Sequence, residues 1–222
     1  MGMKMEYPTN QHKEYIEYMT EECTKYGLSL LLEGSLARNL GSKYSDIDLA
    51  MSGDITTELI DKIISGYDLL IMSNYTEKPK GIFILNYKNG INVDLDIRET
   101  FLSNEIESNI LLCNNGIVID DILKRKEINS EMLPSRQQWY KVLRLIHRCC
   151  IKYLCNKEEY AIGLCAEVKQ ALYELYNINL IDGNILSQMR EALKLITDKE
   201  NVDNEIIELF DDLLIKCKRR DH

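Results

Sequence analysis

Residues 28–51 constrain the fold of this chain more than any other stretch. A mostly apolar run at residues 28–32 leads to Gly34-Ser35, and after a polar connection Ser45-Asp46-Ile47-Asp48-Leu49-Ala50-Met51 alternates acid with apolar. The first run reads as a buried strand feeding a turn. The second reads as a strand with Ile47, Leu49 and Met51 on one face and Asp46 and Asp48 on the other. Leu36-Ala37-Arg38 opens a short helix after the turn. Glycine lets a backbone come close to an anion, a helix start aims unpaired N–H groups at it, and the Ser35 hydroxyl adds a donor. Two carboxylates roughly 7 Å apart on one strand face are hard oxygen donors suited to Mg²⁺ shared with nucleotide phosphates.

The rest of the chain supplies the frame. Tyr15, Ile16, Met19, Cys23 and Tyr26 recur at helical spacing over residues 11–26, with Thr9 or Asn10 as cap and Gly27 as terminator. After a turn at Ser52-Gly53-Asp54, residues 55–64 read as a short helix ending near Gly66, and residues 67–72 as a strand. Residues 81–98 form a hairpin about Asn89-Gly90, a pair suited to a type I′ turn. Its second strand turns Ile91, Val93, Leu95 and Ile97 to the core and Asn92, Asp94, Asp96 and Arg98 to the other face. Residues 103–113 read as a helix and 116–121 as a short terminal strand.

The charged stretch 124–135 contains Pro134, one of only three prolines, and the period changes beyond it, which places a domain boundary near 130. Four helical stripes follow. They are Trp139, Val142, Leu143, Ile146, Cys150, Tyr153 and Leu154; then Leu164, Cys165, Val168, Ala171, Leu172 and Leu175; then Ile185, Met189, Ala192, Leu193 and Ile196 after Asp182-Gly183; then Ile206, Ile207, Phe210, Leu213, Leu214 and Cys217. The expected architecture is α+β: a mixed sheet flanked by helices in residues 1–129, followed by an α-helical bundle in residues 130–222.

Composition narrows the function classes. The 222 residues carry a formal charge of −9, which argues against a general grip on nucleic acid and suits a small cationic partner. No apolar run reaches membrane-spanning length and the N-terminal residues lack the apolar core of a signal peptide, so a cytoplasmic location is expected. Seven cysteines, two of them adjacent, read as reduced thiols. His147 with Cys150 at i, i+3 and Cys155 nearby supply too few ligands for a zinc site, and read as core or boundary residues.

The run Gly34-Ser35-Leu36 with Arg38, then Tyr44-Ser45-Asp46-Ile47 and a second acid at Asp48, resembles the signature of the polymerase-beta-like nucleotidyltransferase superfamily, and within it the kanamycin nucleotidyltransferase type. The resemblance implies transfer of a nucleoside monophosphate, AMP from ATP, to a hydroxyl of a small acceptor such as an aminoglycoside-like antibiotic. Such a role would make the chain an antibiotic-resistance enzyme. Two Mg²⁺ ions and ATP or another nucleoside triphosphate are implied as cofactor and co-substrate. Gly34, Ser35, Arg38 and Ser45 become the nucleotide-binding set, while Lys43 reads as an exposed loop lysine rather than a phosphate contact. Asp46, Asp48 and a third carboxylate become the metal-binding, catalytic set. Asp94 is the first choice for the third acid and Asp96 its competitor. The kanamycin type also implies a general base on the helical part, for which Glu167 is a candidate beside Asp96, and a homodimer. Two alternatives stay open: a nucleotidyltransferase of the antitoxin type that modifies a protein or RNA end, and a non-catalytic nucleotide-binding module.

Overall fold

The computed structural model describes residues 6–68, 70–77, 80–126, 128 and 138–220. The chain divides into two compact units, Met1–Pro134 and Ser135–His222. The boundary expected near 130 falls at residues 129–137, outside the described residues.

The first unit opens with α1 (Asn10–Lys25), capped by Thr9, whose hydroxyl accepts the His12 N–H. Its end is a Schellman turn: Gly27 sits at φ +66°, the Leu28 N–H reaches the Cys23 carbonyl at 2.8 Å and the Gly27 N–H reaches Thr24 at 3.2 Å. There follow β1 (Ser29–Glu33), α2 (Gly34–Ala37), β2 (Ile47–Ser52), α3 (Thr57–Gly66), β3 (Leu70–Glu77), β4 (Lys80–Tyr87), β5 (Asn92–Arg98), α4 (Ser103–Ser108) and β6 (Ile110–Cys113). The strands form one sheet in the order β3-β4-β5-β2-β1-β6. Only β2 and β5 run parallel; the other neighbours are antiparallel.

Alternation decides which face is buried. Leu30 and Leu32, Ile47, Leu49 and Met51, Val93, Leu95 and Ile97, and Phe83 and Leu85 share a core with Tyr15, Ile16 and Met19 of α1 and Ile60, Ile63 and Ile64 of α3. Each such side chain contributes about 1.5–3 kcal/mol on burial. A one-residue slip of β2 would expose its three apolar residues and bury Asp48, so the register of the acids is fixed by the core behind them. On the opposite face Leu31, Ala50 and Phe101 make a small second cluster.

Three local expectations are corrected. The β4–β5 connection is a three-residue loop, residues 88–90, closed by Gly90 N–H to the Tyr87 carbonyl at 2.9 Å and Tyr87 N–H to Ile91 at 3.0 Å. Gly90 takes the positive φ, +86°, as in a turn followed by a bulge, in place of the expected type I′ turn. The helix expected over 103–113 stops at Ser108, where the Asn109 side chain takes the Glu105 carbonyl at 2.9 Å. Residues 110–113 then pair with β1 as β6, because four consecutive apolar residues suit a sheet edge that would otherwise leave backbone groups unpaired. The strand expected at 116–121 is reduced to a single bridge, Phe101 to Ile119, and Val118 and Ile119 are exposed.

The second unit contains α5 (Gln138–Leu154), α6 (Glu158–Tyr176), α7 (Ile185–Lys199) and α8 (Asn204–Arg220). Helix α5 packs against the other three. It is buried over a wider arc than its predicted stripe: Tyr140, Leu145, His147, Cys149 and Ile151 are inside, whereas Trp139 and Tyr153 are only half-buried. Asn184 caps α7 by accepting the Ser187 N–H at 2.8 Å.

Candidate functional site

The polar face of the sheet gathers the acids by register. Asp48 on β2 lies between Glu33 of β1 and Asp94 of β5, each its direct cross-strand partner. Neighbouring strands are about 4.8 Å apart, so Glu33, Asp48 and Asp94 form one carboxylate row. Asp46 lies one residue ahead of β2, in the loop, and not on the strand as the alternation predicts. Asp46, Asp48 and Asp94 are all half-buried, so they border solvent at one end of the sheet.

Gly34 closes the site from β1. Its φ is +70°, and a Cβ built there would fall onto Asp48 Oδ2, with Asp48 Cγ only 2.8 Å away. The glycine thus meets two demands, a left-handed backbone and contact with a carboxylate. Ser35 follows it in α2, half-buried, and its hydroxyl bonds no other described residue. With four residues, α2 is too short for a substantial macrodipole, so the anion-binding capacity here rests on individual N–H groups. Arg38 ends α2 and is exposed. Lys43 is exposed over the Tyr44 ring, 4.9 Å from its centroid.

Ser45, expected in the nucleotide-binding set, is half-buried in the loop before β2. Its hydroxyl accepts the Ser42 N–H at 2.8 Å and so shapes the loop that delivers Asp46. The Ser45 carbonyl is bonded at 3.1 Å by Nε2 of His12, whose Nδ1 meets the Thr9 hydroxyl at 2.7 Å. His12, on α1, pins the site loop from 33 residues away in sequence. No local sequence signal marks it.

Asp96 occupies the second row, opposite Ala50. Its Oδ2 accepts from Arg98 Nε at 2.8 Å, and Arg125 Nε reaches both its oxygens, at 2.9 and 3.1 Å. Arg98 also holds Glu33 through two parallel bonds, 3.0 and 2.8 Å, and lies 3.3 Å from Glu105. Burial raises the Glu33 carboxyl above its ordinary range, against the lowering pull of Arg98. The two acids that compete for the third position therefore stand in different surroundings: Asp94 in the row of Asp48, Asp96 between two arginines.

Among the described residues, no group of three His, Cys, Asp or Glu side chains is disposed as a ready-made metal cage. Mg²⁺ does not need one, since it is commonly held by one or two carboxylates with substrate phosphates and water supplying the rest. Asp48 and Asp94, in register and bordering solvent, fit that mode. In the second unit Glu167 is exposed on α6 and lines a groove of about 380 Å³ with Arg148, Lys152 and Tyr160. His147 and Cys150 are buried, the imidazole edge-on to Phe210 with centroids 6.1 Å apart, as core residues. None of the described helices is long and apolar enough to cross a membrane.

No protein-family model matches the sequence, and no curated protein does. Among solved structures, the chain is similar to a Thermotoga maritima CCA-adding enzyme complexed with tRNA at 14% identity and a TM-score of 0.36, covering 96% of this chain and 53% of that one. It is also similar to a STING-associated CdnE c-di-GMP synthase from Capnocytophaga granulosa at 14% identity and a TM-score of 0.31, covering 95% and 79%. A third likeness, to a CdnE cyclic dinucleotide synthase from Elizabethkingia meningoseptica with GTP, has 14% identity and a TM-score of 0.27, covering 94% and 90%. The chain spans about half the length of the CCA-adding enzymes it matches, and likenesses as loose as these carry no weight in the assignment of its activity.

Proposed function

We propose that the protein is a metal-dependent nucleotidyltransferase acting through the face that carries Gly34, Asp46, Asp48 and Asp94. The observation that supports this reading above others is the Asp48–Asp94 register together with the Gly34 backbone lying against the Asp48 carboxylate. Two acids from a strand pair and a glycine-serine turn converge on one sheet end, as the superfamily resemblance requires.

In this reading Asp46, Asp48 and Asp94 hold Mg²⁺, which when bound neutralises phosphate charge and stabilises the attacking and leaving oxygens of an in-line displacement. The chain's own groups bind and orient. The Ser35 hydroxyl and the backbone N–H groups after Gly34 donate to the terminal phosphates of the triphosphate, and Arg38 offsets their charge. His12, through the Ser45 carbonyl, holds the loop that sets the position of Asp46. The transferred group is a nucleoside monophosphate, AMP from ATP on the resemblance, and the acceptor supplies a hydroxyl. An aminoglycoside-like acceptor rests on the resemblance of residues 34–47 and accords with the charge of −9.

The test is thermal unfolding with ATP, GTP, CTP and UTP, each with and without Mg²⁺, beside Asp48→Asn. A ligand at about 100 times its Kd stabilises by about 2.7 kcal/mol, or roughly 5–10 °C for a chain of this length. A Mg²⁺-dependent rise with at least one nucleotide that Asp48→Asn abolishes is the expected result. No rise with any of the four would overturn the assignment.

A further inference from the structure

We infer that Arg98 is a positioning residue that keeps Glu33 out of the metal site, so that cation positions beside Asp48 and Asp94 stay open for phosphate. The inference rests on the transferase reading above and deepens it.

Glu33 stands next to Asp48 in the sheet register, on the opposite side from Asp94. By position it is equipped to be a fourth acid at the site, and it immediately precedes Gly34. Its side chain is turned away from that task. Both its oxygens are taken by Arg98, Nη1 to Oε1 at 3.0 Å and Nη2 to Oε2 at 2.8 Å. The guanidinium is fixed in its own right: Nε donates to Asp96 at 2.8 Å, Nη1 lies 3.3 Å from Glu105, and the Phe101 ring stands 5.4 Å from its carbon. Arg98 is 5% exposed. It emerges two rows below Asp94, opposite Ser52 of β2. A planar fork matches a carboxylate in two bonds at once, and a lysine ammonium cannot reproduce that match.

The consequence is specific to metal chemistry. Mg²⁺ that serves a triphosphate keeps most of its coordination for phosphate oxygens and water. A third or fourth protein carboxylate would hold the cation more tightly and close those positions. Arg98 gives Glu33 another partner and so keeps the site half-built until nucleotide arrives.

The experiment titrates Mn²⁺ against the nucleotide-free full chain by loss of the free-ion paramagnetic resonance signal, for the wild type, Arg98→Lys, Glu33→Gln and Glu33→Gln/Arg98→Lys. Thermal midpoints check folding, and turnover is measured in parallel. Outer-sphere partners of metal ligands commonly change affinity or activity by about 10–100-fold. Arg98→Lys is expected to bind Mn²⁺ about tenfold more tightly while losing turnover. Glu33→Gln alone is expected to keep wild-type affinity, and the double variant to return to it, which a general loss of structure would not produce. Weakened Mn²⁺ binding by Glu33→Gln, in an otherwise folded chain, would make Glu33 a ligand and overturn the inference. Wild-type affinity and turnover in Arg98→Lys would overturn it as well. A wild type that takes up neither Mn²⁺ nor Mg²⁺-nucleotide would overturn the transferase reading and the positioning role together, a result distinct from a variant that matches an active parent.

Discussion

Gly27 and Gly34 are a matched pair that isolates what the site asks of a glycine. Both take a left-handed backbone, φ +66° and +70°, yet a Cβ at Gly27 meets nothing within 4 Å whereas one at Gly34 meets the Asp48 carboxylate. Alanine in that backbone region costs about 1–2 kcal/mol, partly offset by about 0.4–1 kcal/mol from stiffening the unfolded chain. Gly27→Ala should therefore lose about 0–1.6 kcal/mol net. Gly34→Ala carries the same backbone cost and adds an overpacking cost of about 1–3 kcal/mol, because the carboxylate is anchored on a central strand and has to rotate or push β2 away. At roughly 2–4 °C per kcal/mol, the thermal midpoints of the two variants should separate by at least about 2 °C. The assay is urea and thermal unfolding of both variants, followed by Mg²⁺-nucleotide titration. Only Gly34→Ala should lose the nucleotide response, since only there is Asp48 displaced. Equal midpoints together with equal binding would refute the argument that the Gly34–Asp48 contact shapes the site.

Other consequences are independent of the site. Tyr15 and Tyr87 share a buried hydroxyl pair at 3.0 Å, so Tyr15→Phe should destabilise by about 1–3 kcal/mol by stranding one hydroxyl; the Tyr15→Phe/Tyr87→Phe double variant should recover much of that loss in urea unfolding. Ile146→Ala, at a fully buried position of α5, should cost about 2–5 kcal/mol, read from the same curves. Burial pushes the His147 imidazole down to about 4, while in the unfolded chain it titrates near 6.5. The unfolded state therefore holds the extra proton between those values, and stability falls as pH drops from about 6.5 to about 4, by about 3 kcal/mol in full. Unfolding midpoints from pH 7 to pH 4.5 should show a slope that His147→Leu flattens.

What the sequence made legible follows the reach of its signals. The Thr9 cap, the Gly27 terminator and the stripe of α1 are local, and each matches the structure. The strand around Asp48 was legible because its alternation is strict; Asp46 fell outside it because Ser45, the residue before it, is bound into a turn with Ser42. Residues 103–113 misled because short apolar runs carry no decisive period, and what decides for a strand at 110–113 is the open edge of β1, a tertiary fact. The choice between Asp94 and Asp96 had the same character. Both lie on one face of one strand, and what separates them is a register with β2 and an arginine from residue 125. His12 left no trace in the sequence for a related reason: its contact with Ser45 is made by a helix turn whose own pattern explains it as a core position.

The layout of charge on the sheet face then bears on where a cation goes. On this face three carboxylates, Glu33, Asp96 and Glu105, meet two guanidiniums, Arg98 and Arg125, in mostly buried pairs. Removing a guanidinium from such a cluster leaves buried charge uncompensated and is costly, so these groups hold one another in place whatever binds nearby. Asp48 and Asp94 share the row of Glu33, one row closer to the open end than Asp96. A cation approaching the face meets this cluster, already neutralised to within one charge, and the half-buried Asp48 and Asp94 on adjacent strands. Two residues' difference in position along β5 thus sets Asp94 in the row of Asp48 and Asp96 between two arginines.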